Sequence, residues 1–344
     1  MKRFVCAVLV TVFSFAAAGQ DDPWKILEPH FTVPAKFRGD FGTYSSPMKP
    51  GIDWETRRAE LLAEWTDRLG KWPELNENPQ VEILETTRRK GESFDQHKIR
   101  FDWLPDRPTT AYLLVPDSAK DGGKHPGIVT VYYEPETAIG LGNEQRDFAL
   151  QLARKGFVAL SIGTSETTNN RTYALYYPTR ENAKLEPLSA LACAGANAWH
   201  VLAARPEVDA ERIGVTGHSY GGKWAMFAGC LWEKFAAVAV SDPGIMFDTH
   251  PSVNYWEPWY LGYHPKPWRK RGLITSENPA RGLYPKLRKD GRDLHELHVL
   301  MAPRPLLVSG GSEDPPSRWE ALNHTVAVNE LLGHKHRVGM TNRP

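Results

Sequence analysis

The sequence is poor in cysteine, in net charge and in long apolar runs, and each shortage removes a class of protein. Only 3 of its 344 residues are cysteine. Cys6, Cys193 and Cys230 have neither metal-finger spacing nor the density of a disulfide scaffold. Lysine and arginine total 42 against 41 acidic residues, a formal net charge of +1, and no basic block stands out. A nucleic-acid partner therefore gets no support. Beyond the N-terminus no apolar run is long enough to span a bilayer. Internal repeats and low-complexity tracts are absent, which argues against solenoids and propellers. No motif calls for a cofactor. His295, His298, His334 and His336 raise the question of a metal, but no accompanying carboxylate pattern supports one.

What is present starts at the N-terminus. "MKRFVCAVLVTVFSFAAAGQDD" has Lys2 and Arg3, then an apolar run from Phe4 to Ala18, then small residues ending at Gly19. This is the pattern of a secretory signal peptide, residues 1–19, and the run is short for a membrane anchor. The expected location is secreted or periplasmic, with no membrane attachment after cleavage. Cys193 and Cys230 then sit in an oxidising compartment where a pair is conceivable. Both lie in apolar helical patterns, and two buried thiols are the favoured reading.

Residues 20–79 read as an N-terminal arm followed by a helix over 53–70, with Asp53 as its cap and Trp54, Leu61, Leu62, Trp65 and Leu69 at helical spacing. Residues 80–344 read as one α/β domain. Segments 81–89, 97–104 and 110–116 are antiparallel strands. "GIVTVYY" (127–133) is a continuous apolar run, as a strand buried on both faces is. Helices over 144–155, 188–204, 293–300 and 317–332 then alternate with strands over 156–163, 212–217, 235–242, 304–311 and 336–340. Such alternation predicts a mostly parallel central sheet with helices on both faces. Two long irregular segments, 164–187 and 243–290, leave the carboxyl ends of strands, where open α/β sheets carry their sites.

Gly217-His218-Ser219-Tyr220-Gly221 fits G-x-S-x-G between an apolar strand and a helix of small residues. A nucleophile at a sharp strand-to-helix turn needs tiny neighbours two places before and after it. The free N–H groups of the next helix then favour developing negative charge. Ser219 is the expected nucleophile; the alternative is a helix-capping serine. The acid should follow in chain order after a later strand. Asp314, in "LLVSGGSEDPPSRW", is favoured to hold an imidazole, with Glu313 and Asp242 as rivals. The backbone N–H of Tyr220 is the first oxyanion donor expected. Tyr133 or Glu134, after "GIVTVYY", supplies the second. "VNYWEPWYLGYHPKPW" (253–268) gathers Tyr255, Trp256, Trp259, Tyr260, Tyr263 and Trp268 in one insertion. It is either a satellite core or a platform on which sugar rings stack, Trp256 and Trp259 foremost.

With "GVTGHSYGGKWAM", "NYWEPWYLGY" and "DLHELHVLMAPRPLLVSGGSED" the chain resembles the α/β-hydrolase superfamily, and within it secreted bacterial carbohydrate esterases of the acetyl xylan esterase and glucuronoyl esterase-like groups. The resemblance spans about 100–340. It implies a serine esterase acting on a polysaccharide or oligosaccharide. The glucuronoyl group has G-C-S-R-x-G-K at this turn, so Lys223 is implied as a contact to sugar hydroxyls. That group's arginine, which helps hold the oxyanion, is replaced by Tyr220, which tilts the reading towards acetyl esters. A glucuronoyl or other methyl-ester hydrolase is the alternative. A carbohydrate-binding relative that has lost catalysis is the second class.

The base is the open point. A triad histidine should follow the acid, on the loop after the last strand. His324, His334 and His336 alone follow Asp314. His324 falls inside a predicted helix. His334 and His336 precede the final strand rather than follow it, and a five-residue strand spans ~16 Å. Proton transfer needs ~3 Å. The expectation is a C-terminally truncated copy whose catalytic histidine lies past "TNRP".

Overall fold

The computed structural model describes residues 23–142, 145–164, 174–247, 260–267, 269 and 274–342. Its frame is a sheet of nine strands in the order β1-β2-β3-β5-β4-β6-β7-β8-β9. β1 (Glu82–Thr87), β2 (Phe94–Leu104) and β3 (Arg107–Pro116) form an antiparallel meander. β4 (His125–Tyr132), β5 (Val158–Gly163), β6 (Val208–His218), β7 (Ala237–Ser241), β8 (Leu306–Gly310) and β9 (Val338–Asn342) run parallel, and β3 joins them antiparallel to β5. The helices are α1 (Pro23–Leu27), α2 (Trp54–Leu69), α3 (Phe148–Ala153), α4 (Pro187–Ala203), α5 (Tyr220–Leu231), α6 (Leu283–Lys289), α7 (His295–His298) and α8 (Trp319–Leu331). The mostly parallel sheet with helices that the sequence predicts is what forms.

Strand alternation sorts the core into two faces. Val129 and Val131 of β4 join Leu113, Val115, Leu160 and Ile162 in the larger cluster, which contains α4 and α5. Ile128 points the other way, with Tyr112, Leu114 and Ala159, into a smaller cluster roofed by Ala149, Leu150 and Ala153 of α3. Successive side chains of a strand take opposite faces, so an uninterrupted apolar strand implies helices on both. Trp65, Trp103 and Trp224 are completely buried in the larger cluster. Each such side chain contributes roughly 2–3 kcal/mol.

The chain passes from β4 to β5 on one side and returns across β4 to β6 on the other. This reversal opens a crevice at the carboxyl ends of β4 and β6. Both strands deliver the segments of interest there.

The N-terminal arm lies against the far edge. Asn323 Nδ2 on α8 donates to the carbonyls of Phe37 (2.7 Å) and Asp40 (2.6 Å). Asp53 caps α2, accepting the Thr56 N–H at 3.0 Å. The buried stripe Trp54, Leu61, Trp65 and Leu69 then faces the core, as the helical spacing requires.

Several boundaries differ from expectation: β2, β3 and β6 start at Phe94, Arg107 and Val208 rather than at 97, 110 and 212, because pairing with neighbouring strands extends them. The third helix is confined to Phe148–Ala153 rather than 144–155, because Gln145 at φ 62° and Asp147 at ψ 44° depart from helical backbone just before it. β9 starts at Val338, two residues late, because His336 adopts φ 56° and pairing with β8 then continues to Asn342 opposite Gly310. Cys193 and Cys230 are both free and buried, and burial pushes each thiol up to about 12. The disulfide alternative is therefore not formed.

Candidate active site

β6 ends at His218, α5 starts at Tyr220, and Ser219 between them sits at φ 54°, ψ −114°. A non-glycine residue in that region costs on the order of 1–3 kcal/mol and persists only where its surroundings enforce it. Here the Ser219 N–H donates to the Ser241 carbonyl at 2.8 Å, and the Lys223 N–H donates to the Ser219 carbonyl at 2.9 Å. The flanking glycines are steric necessities. A Cβ on Gly217 would lie 2.3 Å from the Gly221 carbonyl oxygen, and one on Gly221 would lie 2.0 Å from that of Val131. The Ser219 hydroxyl makes no hydrogen bond to a described residue, and Ser219 is partly exposed. A serine capping α5 would use its hydroxyl on the helix, and this one does not.

Asp314 follows β8 and is 0% exposed. Its two oxygens accept the N–H groups of Gly244 and Ile245, each at 2.7 Å. Burial pushes its carboxyl up to about 6, against the opposing pull of those amides, Lys223 and Arg318. Asp242, at the end of β7 and at φ 50°, does the reverse. One of its oxygens accepts the N–H groups of Glu313 (3.0 Å) and Asp314 (3.2 Å). The loops after β7 and β8 are thus braced by two carboxylates, each accepting two amides of the other loop. The brace adjoins the turn directly, since Ser241 holds Ser219 and Asp242 donates its N–H to Ser309 at 2.9 Å. Glu313 is only partly buried.

No hydrogen-bonded relay from Ser219 through a histidine to Asp314 forms among the described residues. Asp314 bonds to no described histidine. His218 precedes the turn, with Nδ1 3.0 Å from Ser241 Oγ. His324 packs in α8, its ring centroid 4.9 Å from Phe41 and 4.7 Å from His295. His336 Nδ1 lies 3.3 Å from the Phe31 carbonyl, just before β9. β9 runs parallel to β8, so His334 and His336 stand at the sheet edge opposite Ser219. His250 lies outside the described residues.

Tyr133 and Tyr220 are brought together: their rings stack with centroids 4.7 Å apart and planes 22° from parallel. The loop after β4 is held there by the Thr164 N–H, which donates to the Tyr133 carbonyl at 2.8 Å. Lys223 is buried in the first turn of α5. Its ammonium donates to the Pro243 carbonyl and lies 5.7 Å from the Tyr260 ring centroid. Trp256 and Trp259 lie outside the described residues, as do Tyr255 and Trp268. Tyr260 is described: its ring stands 5.9 Å from that of Tyr220 and forms a wall beside the turn.

Sequence reasoning weighed Asp242 only as a rival acid. Its bracing role carries no local signal, because the amides it binds lie some seventy residues away. No group of three described His, Cys, Asp or Glu side chains is arranged to hold a metal ion. Burial lowers the His295 imidazole to about 4 and that of His298 to about 3. No described helix is long and apolar enough to cross a membrane.

No family model matches the chain, and no curated protein matches it. Solved structures do. A glucuronoyl esterase from Solibacter usitatus superposes with a TM-score of 0.64 at 17% identity, covering 89% of this chain and 94% of that one. A Bacteroides fragilis protein proposed to be an acetyl xylan esterase gives 0.60 at 16% identity, covering 90% and 80%. A family 15 carbohydrate esterase, a glucuronoyl esterase from Caldicellulosiruptor kristjansonii, gives 0.58 at 19% identity, covering 91% and 87%. At these identities the likeness shows the fold: this chain has the α/β-hydrolase fold of those esterases.

Proposed function

We propose that the protein is a secreted serine esterase that removes acyl groups, acetyl foremost, from a plant-type polysaccharide. The observation that carries the reading is Ser219, strained at the carboxyl edge of β6, partly exposed, and with its hydroxyl bonded to no described residue. Such strain clusters at active sites, where it is part of the mechanism. Ser219 is the nucleophile in this reading. The N–H groups of Tyr220 and Tyr133 receive the negative charge that develops on the attacked carbonyl oxygen. Asp314 is the acid. The Tyr220 ring is buried against Tyr133, so the side chain at that position brings no cation to the reacting carbonyl. Stabilisation by amide N–H groups alone suits a small acyl ester, and the fold neighbours named as carbohydrate esterases support the substrate class. Lys223, Trp256 and Trp259 are the sugar contacts proposed, and residues 1–19 the export signal.

One observation favours a second reading, a carbohydrate-binding relative without catalysis. No described imidazole joins Ser219 to Asp314, whose two oxygens are both taken by amides. Esters decide between the readings. Purified protein is offered acetylated xylan, a methyl glucuronate ester and p-nitrophenyl acetate, with and without added imidazole. The esterase reading predicts acetate release from xylan above that from the uronate ester. No hydrolysis of any ester, together with retained xylan binding, would establish the second reading. Trp256→Ala with Trp259→Ala should raise KM for xylan and spare p-nitrophenyl acetate. Equal losses on both, with a lowered Tm, would mark a satellite core.

A further inference from the structure

The wall beside the nucleophile is bolted at a point where no reacting group stands. Residues 260–263 bring Tyr260 against Tyr220 and Lys223, and five hydrogen bonds fix them. The Tyr260 carbonyl accepts the Leu188 N–H of α4 at 3.1 Å, and the Leu261 carbonyl accepts the Tyr284 N–H of α6 at 2.7 Å. The Tyr263 hydroxyl accepts the Ala183 N–H (3.2 Å) and donates to the Glu181 carbonyl (3.1 Å). The Tyr263 N–H donates to Glu186 Oε2 at 3.1 Å, while the N–H of Glu186 donates to the Leu69 carbonyl of α2 at 2.9 Å. The two long irregular segments of the sequence thus meet at one side chain.

From this geometry we infer that Glu186 is a positioning residue: its carboxyl clasps Tyr263 and so sets the Tyr260 wall against which a polymeric substrate is aligned. The inference rests on the esterase reading for its substrate, but the clasp itself does not. Among the described residues, the Tyr263 N–H is the one hydrogen-bond partner of the Glu186 carboxyl. Among the described residues, the titratable or charged groups around it are Lys286 of α6 and the phenols of Tyr176 and Tyr263, with Arg180 over the Tyr176 ring at 5.6 Å. Burial pushes this carboxyl up to about 8, against the pull of the Tyr263 amide and Lys286. Above that pH the group carries a charge in a site that hydrates it poorly. Relief comes from admitting water, which parts the clasp. A glutamine at 186 keeps the acceptor and never ionises.

Two readouts test the clasp on the full chain. Amide hydrogen exchange over 260–263, corrected for the base dependence of exchange itself, should show protection that falls above pH 8 in the parent protein. In Glu186→Gln the fall should be gone, and in Glu186→Ala protection should be low at every pH. KM for acetylated xylan should rise with the same midpoint in the parent, by about threefold or more. It should stay flat in Glu186→Gln, and kcat on p-nitrophenyl acetate should lack this limb in the parent. Protection in Glu186→Ala equal to the parent, or the same fall in Glu186→Gln, would overturn the clasp. Should no ester be turned over, the esterase reading fails, and exchange alone still decides the clasp.

Discussion

At the scale of single residues, the turn at Ser219 depends on atoms that are absent. A methyl group on Gly221 would lie 2.0 Å from the Val131 carbonyl, a backbone oxygen that cannot rotate away. Gly221→Ala should therefore destabilise by about 3 kcal/mol or more, read as a lowered urea midpoint with unchanged slope. A milder effect would mean that β4 and α5 can separate. Asp314 offers a second case. Its oxygens accept two amides, and an asparagine can accept only at one, leaving a buried N–H facing an NH₂ group. Asp314→Asn should cost about 1–3 kcal/mol by the same measurement, whatever it does to turnover. The pH dependence follows from the raised carboxyl. The unfolded chain loses this proton near 3.8 and the folded chain near 6. The contribution of Asp314 is therefore full below 3.8 and is lost as pH rises through about 6.

At the scale of elements, α7, α8 and the N-terminal arm meet over three histidines. The rings of His295 and His324 are 4.7 Å apart, and Tyr44 stands 5.2 Å from His295. His298 is completely buried, and neither ring nitrogen has a hydrogen-bond partner. Folding holds His298 at about 3 and His295 at about 4, chiefly by burial, while the unfolded imidazoles titrate near 6.5. The unfolded chain thus binds more protons below pH 6.5. Stability should be full above 6.5 and decline as pH falls towards 4, each histidine weighing on the order of 1.4 kcal/mol per pH unit. His298→Leu, of similar volume and without orphaned nitrogens, should flatten part of that decline. Tm measured from pH 7 to pH 4.5 on both proteins checks it, and parallel curves would contradict it. Nothing in the sequence announces this packing. The i, i+3 spacing of His295 and His298 is legible, but the arm that covers them lies some 250 residues earlier. Strands and helices were legible because their periods are local. The run Gly127–Tyr133 declared a strand buried on both faces, and the G-x-S-x-G spacing declared the turn, since both signals lie within a few neighbouring residues. The start of β9 was not legible, because its register depends on β8 and on the backbone of His336.

At the scale of the whole molecule, the reversal of strand order at β4 decides where chemistry can occur. It places Ser219, Tyr133, Asp242 and Asp314 at one edge of the sheet, while the β9-side histidines and the arm occupy the other. The candidate site was legible in the turn at Ser219 and in the neighbourhood of Asp314. It was not legible in its bracing, because amide acceptors chosen across the fold leave no spacing in the chain. In the proposed function, Ser219 carries out ester hydrolysis from this edge. It is tested most directly by colour release from p-nitrophenyl acetate, comparing the parent protein with Ser219→Ala at equal concentration and matched Tm. The account predicts turnover above the uncatalysed rate in the parent and a loss of several orders of magnitude, up to about 10⁶, in Ser219→Ala. Equal rates in the two proteins would contradict it.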